Sequence, residues 1–151
     1  MSFWSNIRIS SNALSAQRLR LDLISNNIAN AQTTRTEAGG TYKRQDVVFS
    51  AKGMPHGLPG FIATRLGKSI PVNQIEGGVQ IANITSDETQ GPKVYDPSHP
   101  DADKDGYVVY PNIDLVVEMT NMLSATRSYE ANLAVVDAAK RMALKALDIG
   151  R

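Results

Sequence analysis

Along residues 111–151 apolar positions recur at alternating steps of four and three. They run Leu115, Met119, Met122, Thr126, Tyr129, Leu133, Val136, Lys140, Ala143 and Leu147, and eight of these ten are apolar or aromatic. No glycine or proline interrupts the chain between Pro111 and Gly150. The spacing predicts one long amphipathic helix with a heptad seam. At about 1.5 Å per residue it runs on the order of 55 Å, further than the body of a small domain.

The N-terminal segment carries a matching stripe. Ile7, Leu14, Leu21 and Ile28 lie seven residues apart, Ile24 and Ala31 extend the stripe, and Leu19 and Leu23 flank it. Ser5 or Asn6 can cap the start, and Gln32-Thr33-Thr34 breaks the pattern. A helix is predicted from Asn6 to Ala31.

Between the helices the texture changes. All 7 prolines and 10 of the 11 glycines fall between Glu37 and Asn112. Gly39-Gly40 reads as a turn before a strand at Tyr42–Phe49. Further strands are predicted at Val79–Thr85, Lys93–Tyr95 and Tyr107–Tyr110. The Gly/Pro-rich stretch at about 52–73 reads as a flexible loop. The expected fold is mainly α with a small β insert. Residues 1–36 form an N-terminal helical segment, 37–110 a central β-rich domain, and 111–151 a C-terminal helix. The two helices are expected to pair antiparallel as a coiled coil around that domain. A two-helix hairpin leaves outer positions such as Val116, Leu123 and Leu144 without partners, which predicts association with further helices.

Composition narrows the function classes. The formal net charge is +1, from 16 Lys plus Arg against 15 Asp plus Glu. That offers no electrostatic basis for binding nucleic acid or an anionic membrane. There are 0 cysteines, hence no disulfide, thiolate metal site or thiol nucleophile. No apolar run is long enough for lipid insertion, and the first twenty residues lack the pattern of a cleaved signal peptide.

Three motifs suggest chemistry and fall short of it. Asp101-Ala102-Asp103-Lys104-Asp105-Gly106 matches the first half of an EF-hand loop, but Asn112 stands where the bidentate Glu belongs. It reads as a polar turn, and no metal is expected. Gly67-Lys68-Ser69 resembles the end of a P-loop, but Ile62 replaces the required first glycine. His56 and His99 sit beside prolines in separate loops without convergent partners. No catalytic residue, cofactor or small-molecule substrate is expected.

The run Ser25-Asn26-Asn27-Ile28-Ala29-Asn30-Ala31 is harder to set aside. Asparagine is a poor helix-interior residue because its amide competes for backbone groups. Asn26 and Asn30 lie four apart on one face, so they can hydrogen-bond across a packed interface and set register. The competing reading is a frayed C-terminal turn.

At these residues the chain resembles the bacterial flagellar axial proteins, those of rod, hook and hook-associated parts. The similarity lies in Leu14–Thr36, with Ser25–Ala31 as its hallmark. Gly39–Phe49 resembles a proximal-rod member in particular. So do Tyr95–Asp103, Gly106–Ile113, Glu118–Asn132 and Lys140–Gly150. The resemblance covers roughly 13–50 and 94–150 and stops at 51–73.

That resemblance implies a structural subunit of the rod in the flagellar basal body, exported by the type III apparatus without a cleaved signal. It implies terminal helices that form an inner coiled-coil tube, with the insert facing outward and torque carried by packing. The implied partners are other flagellar rod subunits, self copies, and ring and export-gate components at the base. The expected load path is Leu14, Leu21, Ile24 and Ile28 on one helix. On the other it is Leu115, Met119, Met122, Tyr129, Leu133, Val136 and Leu147. Asn26, Asn27 and Asn30 would set register or join subunits. Another axial rod or hook subunit, or a generic coiled-coil adaptor, is the alternative.

Overall fold

The computed structural model describes residues 3–37, 39–52 and 77–149. The element order is α1 (Phe3–Ala29), β1 (Gln45–Ala51), β2 (Val79–Ser86), β3 (Lys93–Tyr95), β4 (Tyr107–Val109) and α2 (Leu115–Ile149). The helix expected from Asn6 starts three residues earlier and ends at Ala29. The loop expected at about 52–73 lies, beyond Lys52, outside the described residues, as do His56 and Gly67–Ser69.

The second helix begins at Leu115 rather than Pro111, because Asp114 caps it. The Asp114 carboxylate accepts from the Val116 N–H at 2.8 Å and the Val117 N–H at 3.3 Å. A cap of this kind contributes about 1 kcal/mol. At α1's other end the Asn30 amide donates to the Asn26 carbonyl at 2.9 Å and closes the last turn.

The insert contains two separate two-stranded antiparallel sheets, β1–β2 and β3–β4. In the first, Gln45 faces Ser86 and Ala51 faces Val79, with a bulge between Val48 and Phe49. In the second, Lys93 faces Val109 and Tyr95 faces Tyr107. A two-stranded sheet alone is marginal in water. The first is supported from one side by α1, which packs on both strands. Before β1, the predicted turn is formed by Gly39 and Gly40 at φ 85 and 81, a region that non-glycine residues avoid.

Gly91 is constrained differently. A side chain there would lie 2.1 Å from the Tyr110 carbonyl oxygen, so only glycine lets the β2–β3 linker cross the approach to α2. The Tyr110 N–H donates to the Pro92 carbonyl at 3.0 Å at the same crossing.

The two helices pack on each other and run antiparallel, since the end of α1 meets the start of α2 at Asn27 and Glu118. Small buried residues, Ala125 and Ala139 on α2, sit on the packed face. Counting equally back from Asn27 and forward from Glu118 sets Phe3 opposite Met142. The last turns of α2 therefore project past the end of α1.

A candidate interhelical joint

The polar centre of the molecule lies where three segments converge: the end of α1, the entry to β1 and the first turn of α2. Asn27 and Glu118 are its buried members, at 0% and 1% exposure. Helical periodicity delivers both. Asn27 lies one turn beyond the buried Leu23 and Ile24, and Glu118 begins a row continued by the buried Ala125.

The Asn27 amide uses its full hydrogen-bonding capacity. Its nitrogen donates to the Gln45 carbonyl at 2.8 Å and to Glu118 Oε2 at 3.3 Å. Its oxygen accepts from the Gln45 N–H at 2.9 Å and the Tyr42 hydroxyl at 3.2 Å. The two bonds to Gln45 copy the way a neighbouring strand would pair with it. One side chain thus acts as a strand partner for the open edge of β1.

Glu118 receives the charge-bearing partner. Arg44 Nε donates to Glu118 Oε1 at 2.8 Å, and Arg44 also pairs with Asp46 at 3.3 Å. Burial alone would push the Arg44 guanidinium toward neutrality. Its hydrogen bond and charge contact with Glu118, and then Asp46, outweigh this and hold it above the usual arginine value. Glu118 also lies in the first turn of α2, where the helix dipole favours a negative charge.

Burial, and then the Glu118 charge, raise the Tyr42 hydroxyl above its ordinary 10.0. The unfolded chain therefore loses this proton first as pH rises. The Tyr42 contribution is complete below pH 10 and disappears as pH climbs through the higher folded-state value. Urea midpoints taken at pH 8 and pH 10.5 should fall more for the native chain than for Tyr42→Phe, and equal declines would contradict this.

Around the joint, β-strand ends are strapped together. The Asp87 N–H donates to the Arg44 carbonyl at 2.8 Å, and the Asn112 amide donates to Asp87 at 3.2 Å. Asp101, first residue of the EF-hand-like stretch, accepts from the Thr34 hydroxyl at 2.8 Å and faces Arg35 at 3.8 Å. Its carboxylate ties the α1–β1 linker to the β3–β4 loop. Among the described residues no group of three or more histidines and carboxylates has metal-holding geometry.

The residues singled out from the sequence divide. Ile24 is buried, and Leu14, Leu21, Ile28, Met122, Tyr129 and Val136 are half-buried. Leu115, Met119, Leu133 and Leu147 are exposed. The intrachain seam of α2 keeps Met122, Tyr129 and Val136 but alternates them with Ala125, Asn132 and Ala139. It is turned one residue from the row of largest side chains. Asn26 is exposed, and Asn30 bonds within its own terminal turn, where the Thr33 hydroxyl donates to it at 3.1 Å. Within the chain the bridging asparagine is Asn27, not the Asn26–Asn30 pair.

Arg44, Tyr42 and Glu118 were not singled out as site residues. The available signal was an acid in the apolar run Leu115-Val116-Val117-Glu118-Met119, at a position with Met122 and Ala125 one and two turns on. Its partner cannot be read from spacing, because Arg44 lies in another segment.

Comparison with known proteins adds two family matches. Residues 7–35 match the flagella basal body rod protein model, and 104–149 match the flagellar basal body rod FlgEFG protein C-terminal model. The chain is 45% identical over 154 residues to the flagellar basal-body rod protein FlgC of Borreliella burgdorferi, covering 99% of this chain and 98% of the relative. It is 38% identical to FlgC of Bacillus subtilis, with 100% of each chain covered. To FlgC of Salmonella typhimurium it is 36% identical, over 95% of this chain and 94% of that one.

Proposed function

The chain belongs to the FlgC family of flagellar basal-body rod proteins and is a structural subunit of that rod, and from this premise we propose that it transmits torque by helix packing between neighbouring subunits. The observation that carries this reading is the surface of α2. At about 100° per residue, Leu115, Met119, Leu133 and Leu144 fall about 90° to one side of the face packed on α1. Val117, Val135 and Met142 fall about 90° to the other side. All seven are exposed. Leu147 continues the packed face past the end of α1 and is exposed too.

A helix with one covered face and apolar residues on both flanks fits a layer of helices better than a solitary hairpin. In that arrangement the α1–α2 pair forms a coiled-coil element of an inner tube, and flanking positions meet helices of adjacent rod subunits. The joint at Asn27, Arg44 and Glu118 would hold the insert at a set angle to that tube. Torque reaching the insert would then pass into the helices without slippage. Partners on this reading are other rod subunits, copies of this chain, and ring and export-gate components at the base.

A paired substitution on one flank tests the proposal. Met119→Glu with Leu133→Glu changes exposed residues and should leave the thermal midpoint of the isolated chain almost unmoved. In a strain relying on this variant, swimming in soft agar and rods in electron micrographs should be lost. Full swimming by the double variant would reject the packing role.

A further inference from the structure

The β3–β4 hairpin carries an exposed aromatic patch. Tyr95 and Tyr107 meet edge to face with ring centroids 5.3 Å apart, and they are 64% and 46% exposed. Val94 beside them is exposed as well. The connecting residues bear exposed Asp103 and Asp105 against Lys104.

The far end of α2 is complementary in both respects. Leu144 is 53% exposed. Exposed Lys140, Arg141 and Lys145 lie on the same side of the helix. One patch is aromatic and acidic, the other aliphatic and basic. They cannot meet within one chain. The hairpin leads directly into α2, whereas Lys145 lies about 45 Å along the helix from Leu115.

We propose that the β3–β4 hairpin of one copy docks on the last turns of α2 of a second copy, head to tail. The proposal rests on the reading of the chain as an assembling subunit and specifies one of its contacts. The tyrosine rings pack against Leu144, and Arg141 lies over a ring face. Asp103 and Asp105 oppose Lys145. Such a contact uses two different surfaces and leaves one of each free. It therefore propagates from copy to copy, into a ring or a filament according to its rotation. A flat patch of this size makes a weak contact on its own, so the second copy is held through avidity with the helix flanks.

With 0 native cysteines, the chain permits cross-linking free of background. Full-length Lys104→Cys and Asp148→Cys chains, which keep Asp103, Asp105, Lys140, Arg141 and Lys145, are mixed under mild oxidation. The mixed disulfide dimer should form about tenfold faster than either homodimer, the scale of rate gain that complementary charge provides. Adding Arg141→Glu and Lys145→Glu to the Asp148→Cys copy should remove the preference. Adding Asp103→Lys and Asp105→Lys to the Lys104→Cys copy should restore it. Equal rates for mixed and like pairs, or indifference to the charge reversals, would overturn the proposal. Swimming of a strain lacking this chain separates the two readings. Lost swimming with no mixed-pair preference rejects the head-to-tail contact alone, and retained swimming rejects the rod role itself.

Discussion

Arg44→Ala is expected to destabilise the isolated subunit by about 3–5 kcal/mol, the range found when one partner of a buried ion pair is removed. The asymmetry of the pair decides the size. The Glu118 side chain is 1% exposed, whereas that of Arg44 is 25% exposed. Removing the arginine strands a carboxylate that water cannot reach. Removing the carboxylate leaves a guanidinium that can turn toward solvent and Asp46, its other partner at 3.3 Å. Glu118→Gln should therefore cost clearly less than Arg44→Ala. The double variant should be more stable than Arg44→Ala alone, because it no longer buries a lone charge. Urea denaturation reads all three, and a loss of this size moves the midpoint by more than about 1 M. A larger loss for Glu118→Gln than for Arg44→Ala would refute the assignment. Domain stabilities are about 5–15 kcal/mol, so Arg44→Ala should remove a large share of the total.

The second large effect is expected at Asn27. Asn27→Ala leaves the Gln45 N–H and carbonyl and the Tyr42 hydroxyl without their partner. Each stranded group costs about 1–3 kcal/mol, and the total should be about 3–5 kcal/mol once solvent reaches part of the gap. Asn27→Asp is the sharper test, because it changes no volume. It keeps an acceptor for the Gln45 N–H but turns a donor into an acceptor facing the Gln45 carbonyl at 2.8 Å. It also sets a second carboxylate against Glu118, where the amide nitrogen now sits 3.3 Å away. Asn27→Asp should therefore be as damaging as Asn27→Ala at neutral pH. Its deficit should shrink on acidification, as a proton on the new carboxylate restores a donor. If Asn27→Asp matches the native chain at pH 7, the amide is not the bridge described here.

Both predictions concern folding of a single chain, and they separate it from assembly. Asn27 and Arg44 act inside the subunit. Met119 and Leu133 lie exposed on its flank. Loss of swimming from joint variants should accompany loss of stability, whereas loss from flank variants should not.

Much of this architecture was legible along the chain. Alternating steps of four and three marked both helices, and α2 came out at Leu115–Ile149. Strands β2 and β3 fell where β-branched residues and bounding Gly and Pro set them, at Val79–Ser86 and Lys93–Tyr95. Such elements depend on neighbours in sequence, so local pattern carries them. The asparagine run also stood out, because three amides near the end of a helix conflict with local preference.

Which asparagine mattered was not a local property. Asn26, Asn27 and Asn30 have the same chemistry, and only the course of the chain after Gly40 brings Gln45 and Tyr42 to Asn27. The seam of α2 was ambiguous in the same way. Rows through Leu115 and through Glu118 both step by four and three, and hydrophobicity alone favours the first. Tertiary packing chose the second. Small side chains at Ala125 and Ala139 let the helices approach closely, and Glu118 needed Arg44 within reach. By itself the sequence determined the helices, the strands and the family, since these rest on periodicity and on motifs contiguous in the chain. Only the tertiary structure decided which face of each helix closes the subunit and which is left exposed. That choice depends on partners up to 91 residues apart, as between Asn27 and Glu118, and no local pattern encodes it.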